Sequence, residues 1–237
     1  MSNDKPHIPR ESLMTHKERN IAVSKDPDSD EDGICSEHTE DFLIIEIQST
    51  LERSLRRGHS RDNLVLELNS LKHAYNIPID DLHFLLVKAI ISMSLAEAGL
   101  PVDLDDSQES FKKAKKDFIS AFKRIMESDG LVCSMLSYYL RGSPVAGSDT
   151  HVSRDAERLY LQALEDSACH DSLVLDSGLL LIHYLYEAEL ISEPTIRWWL
   201  VNSPLLLDDD VAVKTSNLRT RLEPFIRWLD EAEEDDS

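Results

Sequence analysis

Glycine is scarce, with seven in 237 residues, and no Asn-Gly pair occurs. A β-rich fold therefore lacks its commonest short-range hairpin signal. Cysteine is rarer still. Cys35, Cys133 and Cys169 lie far apart, and there is no Cys-x-x-Cys. That excludes a dense disulfide framework and a cysteine-based zinc site, and it fits a reducing compartment. No apolar run approaches the roughly 20 residues of a membrane-spanning helix; the longest, around Ser177–Tyr186, includes His183. The opening MSNDKPHIPRESLMTHKERN is too polar for the core of a secretory signal, so a cytoplasmic location is expected. The phosphate-binding, nucleophile-elbow and zinc-helix motifs GxxxxGK[ST], GxGxxG, GxSxG and HExxH are all missing. No cofactor, metal or covalent chemistry is expected, and a protein of this kind acts by binding.

What the chain has is negative charge. Lys and Arg number 25 against 45 Asp and Glu, a formal net charge of -20. Phosphate backbones would be repelled and cationic partners steered in. Direct nucleic-acid or membrane binding is therefore not expected. The strongest positive segment is Lys112–Lys116 with Lys123 and Arg124, read as a helix that offsets the acidic body.

The chain divides at about residue 40. Residues 1–39 are polar and include Asp26–Asp32, five acids in seven positions, the composition of a solvated, disordered arm or linker. Helical periodicity dominates from 40 to 237. Helices are predicted at about Glu40–Arg57, Ser60–Tyr75, Ile79–Ala98, Gln108–Glu127, Leu131–Leu140, Ser153–Asp166, Ser172–Leu190, Glu193–Val201 and Val211–Ala232. Gly58, Gly99 and Gly130 supply stops, and Gly142–Ser148 the clearest loop. Such serial antiparallel pairs stack so that each buries an apolar face on the next. No fixed repeat period is visible, so the expected class is all-α: an irregular, HEAT-like stack of helix pairs.

Two features carry chemistry. In Asn63–Asn76, Leu64, Leu68, Leu71 and Tyr75 form one stripe, and Glu67 sits at its edge, reachable from solvent yet anchored. Lys72 is a possible ion-pair neighbour. The second feature is a pair of aromatic-acidic segments. One is EPTIRWWL, Glu193–Leu200, followed by Asp208–Asp210. The other is FIRWLDEAEEDDS, from Phe225 to Ser237, with six acids in its last eight residues. Leu222, Phe225, Ile226 and Leu229 make its core stripe, and Trp228 falls beside that stripe. An accessible indole among carboxylates suits a lysine-rich ligand, whose ammonium groups can lie on the ring face. Acids at a helix C-terminus oppose the macrodipole and weaken the last turn, a local cost that points to use in binding. His183, within LLLIHYLYEAEL, reads as a core or boundary histidine.

DNLVLELNSLKHAYNI, LLLIHYLYEAELISEPTIRWW and FIRWLDEAEEDDS occur in that order. Together they resemble the catalytic C-terminal domain of the epsilon subunit of eukaryotic translation initiation factor 2B, from about Asp41 to Ser237. The tail motif alone is shared with initiation factor 5 and its mimics, which also bear W2-type domains. The resemblance implies a W2-type HEAT fold that promotes GDP release from initiation factor 2. The partners would be that factor's gamma-subunit GTPase and the lysine blocks of its beta subunit. It assigns the exchange-critical contact to Glu67. It assigns a first acidic-aromatic box to Glu193, Trp198 and Trp199, and a second to Trp228, Asp230, Glu231, Glu233 and Glu234. In that family, nucleotidyltransferase-like and left-handed β-helix domains precede this domain and dock the subunit into a decamer. This sequence carries neither; as a fragment of such a protein it would also meet other initiation factor 2B subunits. Two further readings fit the residues: an adaptor of the initiation factor 5 type that binds lysine blocks without exchange, and an unrelated HEAT-type scaffold.

Overall fold

The computed structural model describes residues 36–99, 108–141, 154–202 and 209–235, with the side chains of 36–38, 209–217 and 232–235 excepted. The acidic segment Asp26–Asp32 and the loop Gly142–Ser148 lie outside the described residues. Nine α-helices occur among the described residues, and no strand. They are α1 Ser36–Arg57, α2 Arg61–Ala74, α3 Ile79–Ala98, α4 Gln108–Glu127, α5 Leu131–Arg141, α6 Arg154–His170, α7 Ser172–Glu187, α8 Glu193–Asn202 and α9 Asp209–Asp235.

Local chemistry sets the helix ends. Ser60 caps α2 by accepting from the Asn63 N–H. Asp171 caps α7 by accepting from Leu173 N and Val174 N at 2.7 and 3.2 Å. A single residue therefore separates α6 from α7, and α6 runs one turn past its predicted end. Glu189, at φ 56°, is left-handed, and the Leu190 N–H returns to Leu185 O at 2.9 Å. That closure stops α7 at Glu187, before the expected Leu190. α1 begins at Ser36, a turn earlier than expected.

Cross-contacts order the helices into two layers. In one, His83 meets Tyr160 and Lys88 meets Asp166, so α3 and α6 run parallel. Glu157 meets Ser192 and Glu165 meets Trp199, which continues that layer into α8. In the other, Lys115 meets Asp176 and Phe122 meets Tyr184, setting α4 parallel to α7. Asp176 to Arg221 and His183 to Phe225 extend this layer to α9. α8 and α9 are antiparallel, because Arg197 reaches Asp230 while Arg219 reaches Trp199 O. This is the HEAT-like stack expected from the sequence, with α3/α4, α6/α7 and α8/α9 as successive rungs. α1 packs on α3, and α2 packs on α1 and α5 at the far end.

The core between the layers is aliphatic, with Leu64, Leu86, Leu161, Ile182, Ile196 and Leu222 fully excluded from solvent. Two details position later elements. Gly178 lies where an added Cβ would stand 2.3 Å from Leu218 Cδ1, so its missing side chain lets α9 approach α7. Lys88 joins Glu40 at 3.1 Å and Asp166 at 2.7 Å, tying α1, α3 and α6 together. The lysine-rich α4 uses Lys115 on Asp176 and Arg124 on Glu97, so part of its charge does offset the acidic body. No helix of the described residues is long and apolar enough to cross a membrane.

Candidate functional site

α2 buries Leu64, Val65 and Leu68. Glu67 follows at the rim of that face, about one-third exposed (31%). Arg53 Nη2 of α1 donates to its Oε2 at 2.7 Å, and His59 Nδ1 lies 3.4 Å from Oε1. The partner is thus Arg53, from a neighbouring helix, and not Lys72 of the same helix. Leu71 is half-buried and Tyr75 is exposed against Phe42, so the predicted stripe leaves the core at its C-terminal end. Leu66, beside Glu67, is 64% exposed. An apolar and an anionic side chain therefore face solvent together.

The two aromatic-acidic segments lie side by side. Arg197 joins them, reaching Glu193 Oε1 within α8 and Asp230 Oδ1 of α9, the latter at 2.7 Å. Its contacts with the accepting carboxylates of Asp230 and then Glu193 push its pKa further above the ordinary arginine value. Trp228 is exposed at 46% and stacks on Phe225, with centroids 5.8 Å apart and an interplanar angle of 17°. Asp230 and Glu231 are exposed beside it. The side chains of Glu233 and Glu234 lie outside the described residues; the backbone there is helical.

The first box needs correction. Trp199 is 1% exposed and belongs to the core. Its Nε1–H donates to Glu165 Oε2 at 2.9 Å, and the Arg219 guanidinium lies 4.8 Å over its ring. In α8 the inward positions are Thr195, Ile196 and Trp199, one helical stripe, so Trp199 faces α6 while Trp198 faces outward. Trp198 is half-buried, with the Arg158 guanidinium 3.9 Å over its ring. One of its faces already holds an internal cation.

Several contributors have no motif in sequence. Glu157 and Glu165 are buried on α6, at 4% and 0% exposure. Their spacing of about two helical turns matches the length of α8. Glu157 Oε2 accepts from Ser192 N at 2.9 Å and from its hydroxyl, holding the start of α8. Glu165 holds Trp199 near its end and pairs with Arg219 at 2.9 Å. Arg219 also donates to the carbonyls of Trp199 and Leu200. His183, expected as a core or boundary histidine, lies exposed at the surface, with its ring 6.1 Å from Trp228. The signal was available: Leu180, His183 and Glu187 recur at helical spacing, opposite the buried Val174, Leu181 and Leu185.

No group of three or more His, Cys, Asp or Glu side chains that could hold a metal occurs among the described residues. The arrangement is an acidic and aromatic surface on the last two rungs. Glu67 forms a separate feature on α2. Residues 156–237 match the family model described as W2: eIF4-gamma/eIF5/eIF2-epsilon. The match covers the last two rungs and stops short of α2.

Proposed function

We propose that the chain is a guanine nucleotide exchange module that promotes GDP release from translation initiation factor 2. It would contact the gamma-subunit GTPase through Glu67 and the lysine blocks of the beta subunit through the surface on α8 and α9. The observation that carries this reading is the W2 match, whose description includes eIF2-epsilon, falling on the rungs where Arg197 merges both acidic segments. No bond is made or broken. The module would bind the nucleotide-free GTPase more tightly than the GDP form, and by linkage that ratio equals its weakening of GDP binding. Glu67 offers a carboxylate that a partner's cation could take from Arg53. Its present pair, with Arg53 45% and Glu67 31% exposed, is worth only about 0–1 kcal/mol. Releasing it is therefore cheap.

Labelled-GDP release from the purified factor tests the assignment. Glu67→Ala should abolish release while leaving the fold and lysine-block binding intact; unchanged release would refute the role of Glu67. Trp228→Ala should weaken lysine-block binding about tenfold, by loss of a cation–π contact and its packing. A second reading, a W2 adaptor without exchange activity, is favoured by Glu67 lying outside the matched residues. Lysine-block binding with no acceleration of GDP release by the unmodified chain would select it.

A further inference from the structure

We propose that the binding surface extends onto α7 as a furrow between α7 and α9, and that its ligand joins an apolar side chain to its lysines. The inference rests on the lysine-rich partner proposed above and adds a second element to it. α7 and α9 run parallel, with Asp176 beside Arg221 at one end and His183 and Tyr186 beside Trp228 further along. Leu180, His183 and Glu187 form one exposed stripe of α7; Pro224, Trp228 and Glu231 form the facing stripe of α9. Tyr186 and the buried Phe225 make the floor, with ring centroids 5.8 Å apart.

The furrow has a direction. Its near end is closed by the Arg221–Asp176 ion pair, which Lys115 shares. Its middle is apolar and aromatic, with Leu180 45% and Trp228 46% exposed. Its far end carries Glu187, in the last turn of α7 and 3.8 Å from His183 Nε2, with Glu231 on the neighbouring α9; the carbonyls ending α7 add about half a negative charge. Acids placed there repel that dipole, and a lysine from a partner relieves the repulsion. From Glu187 back to Leu180 is about 10 Å along the helix. An extended peptide crosses that distance in about three residues. The matching ligand carries an apolar residue about three positions from its lysine block, and a purely cationic peptide fills only half the site.

The test uses the full chain and three synthetic peptides. One is a lysine–serine peptide; the others are the same peptide with one leucine about three positions before or after the lysine block. Titration is followed calorimetrically. One of the leucine peptides should bind about tenfold tighter than the parent, the lower end of what burying that side chain provides. Leu180→Ser and His183→Ala should each erase this gain, and Leu180→Ser should leave binding of the parent peptide unchanged, while Glu231→Gln should weaken all three. Both α7 positions are exposed, and circular dichroism checks that the variants fold. If leucine brings no gain, or if the gain survives both α7 variants, the furrow is refuted, and loss of binding with Glu231→Gln would still uphold the lysine-block reading. If no peptide binds the unmodified chain, both fall.

Discussion

Removing Arg219 should destabilise the protein far more than removing any of its exposed ion pairs. Arg219 is only 12% exposed, and its partner Glu165 is fully buried. The guanidinium pairs with Glu165 Oε1 at 2.9 Å, covers the ring of Trp199 and donates to two carbonyls at the end of α8. Breaking a buried pair from one side costs about 3–5 kcal/mol, because desolvation of the remaining charge is no longer offset. A domain has about 5–15 kcal/mol in all, so Arg219→Met should remove about a fifth of it or more. The double variant Glu165→Gln, Arg219→Met should recover much of the loss. Gln can still accept from Trp199 Nε1, and no buried charge remains. Urea unfolding followed by tryptophan fluorescence measures both, with Trp199 as a buried reporter. A cost below about 1 kcal/mol for Arg219→Met, or a double variant less stable than the single, would refute the reasoning.

Two further outcomes follow from the core. Burial holds the pKa of His83 down at about 4, against a smaller opposing pull from Asp80. Between pH 6.5 and about 4 the unfolded chain binds the proton that the folded chain refuses, so stability falls as pH is lowered through that window. The full difference amounts to roughly 3 kcal/mol, and His83→Leu should flatten this part of the profile; denaturant midpoints with equal pH slopes in both proteins would exclude it. Gly178→Ala should destabilise by about 1 kcal/mol net, since crowding of the buried Leu218 outweighs the helix propensity gained. Leu218→Val in the same chain should relieve that crowding, and a Gly178→Ala variant as stable as the parent would show that α9 has room to shift.

The fold class and all nine α-helices of the described residues were legible because amphipathic periods are local. The errors at helix ends arose where a single residue outside the period decides. Asp171 caps α7 so tightly that α6 runs up to it, and Glu189 adopts a left-handed turn that apolar pattern does not forecast. The exposure of Trp228 was legible from the offset between its position and the Leu222, Phe225, Leu229 stripe, all three of which are buried. Trp199 was assigned through the resemblance, box by box, and such an assignment does not register which helix face a residue lies on. The spacing of Ile196 and Trp199 by three puts both on one face, and that face is the core. Glu157, Glu165 and Arg219 were illegible for a different reason. Their partners lie 19 to 54 residues away, and no sequence pattern marks a charge whose counterpart is supplied by another rung.

These placements change what the acidity of the chain means for binding. A net charge of -20 suggests many carboxylates ready for a cationic partner. On the last two rungs they are not equivalent. Glu157 and Glu165 are consumed internally to hold α8 on α6. Glu193 and Asp230 are engaged by Arg197, and Asp176 by Arg221 and Lys115. A partner lysine that took Glu193 or Asp230 would displace an arginine, and exchanging one ion pair for another yields little net free energy. Affinity must therefore come from groups whose environment improves on binding: the exposed indole of Trp228, and the acids at the C-terminal ends of α7 and α9. If the proposed lysine-rich partner binds here, Arg197 would set a threshold that a lone lysine does not pass, and the surface would favour ligands that also bring apolar contact.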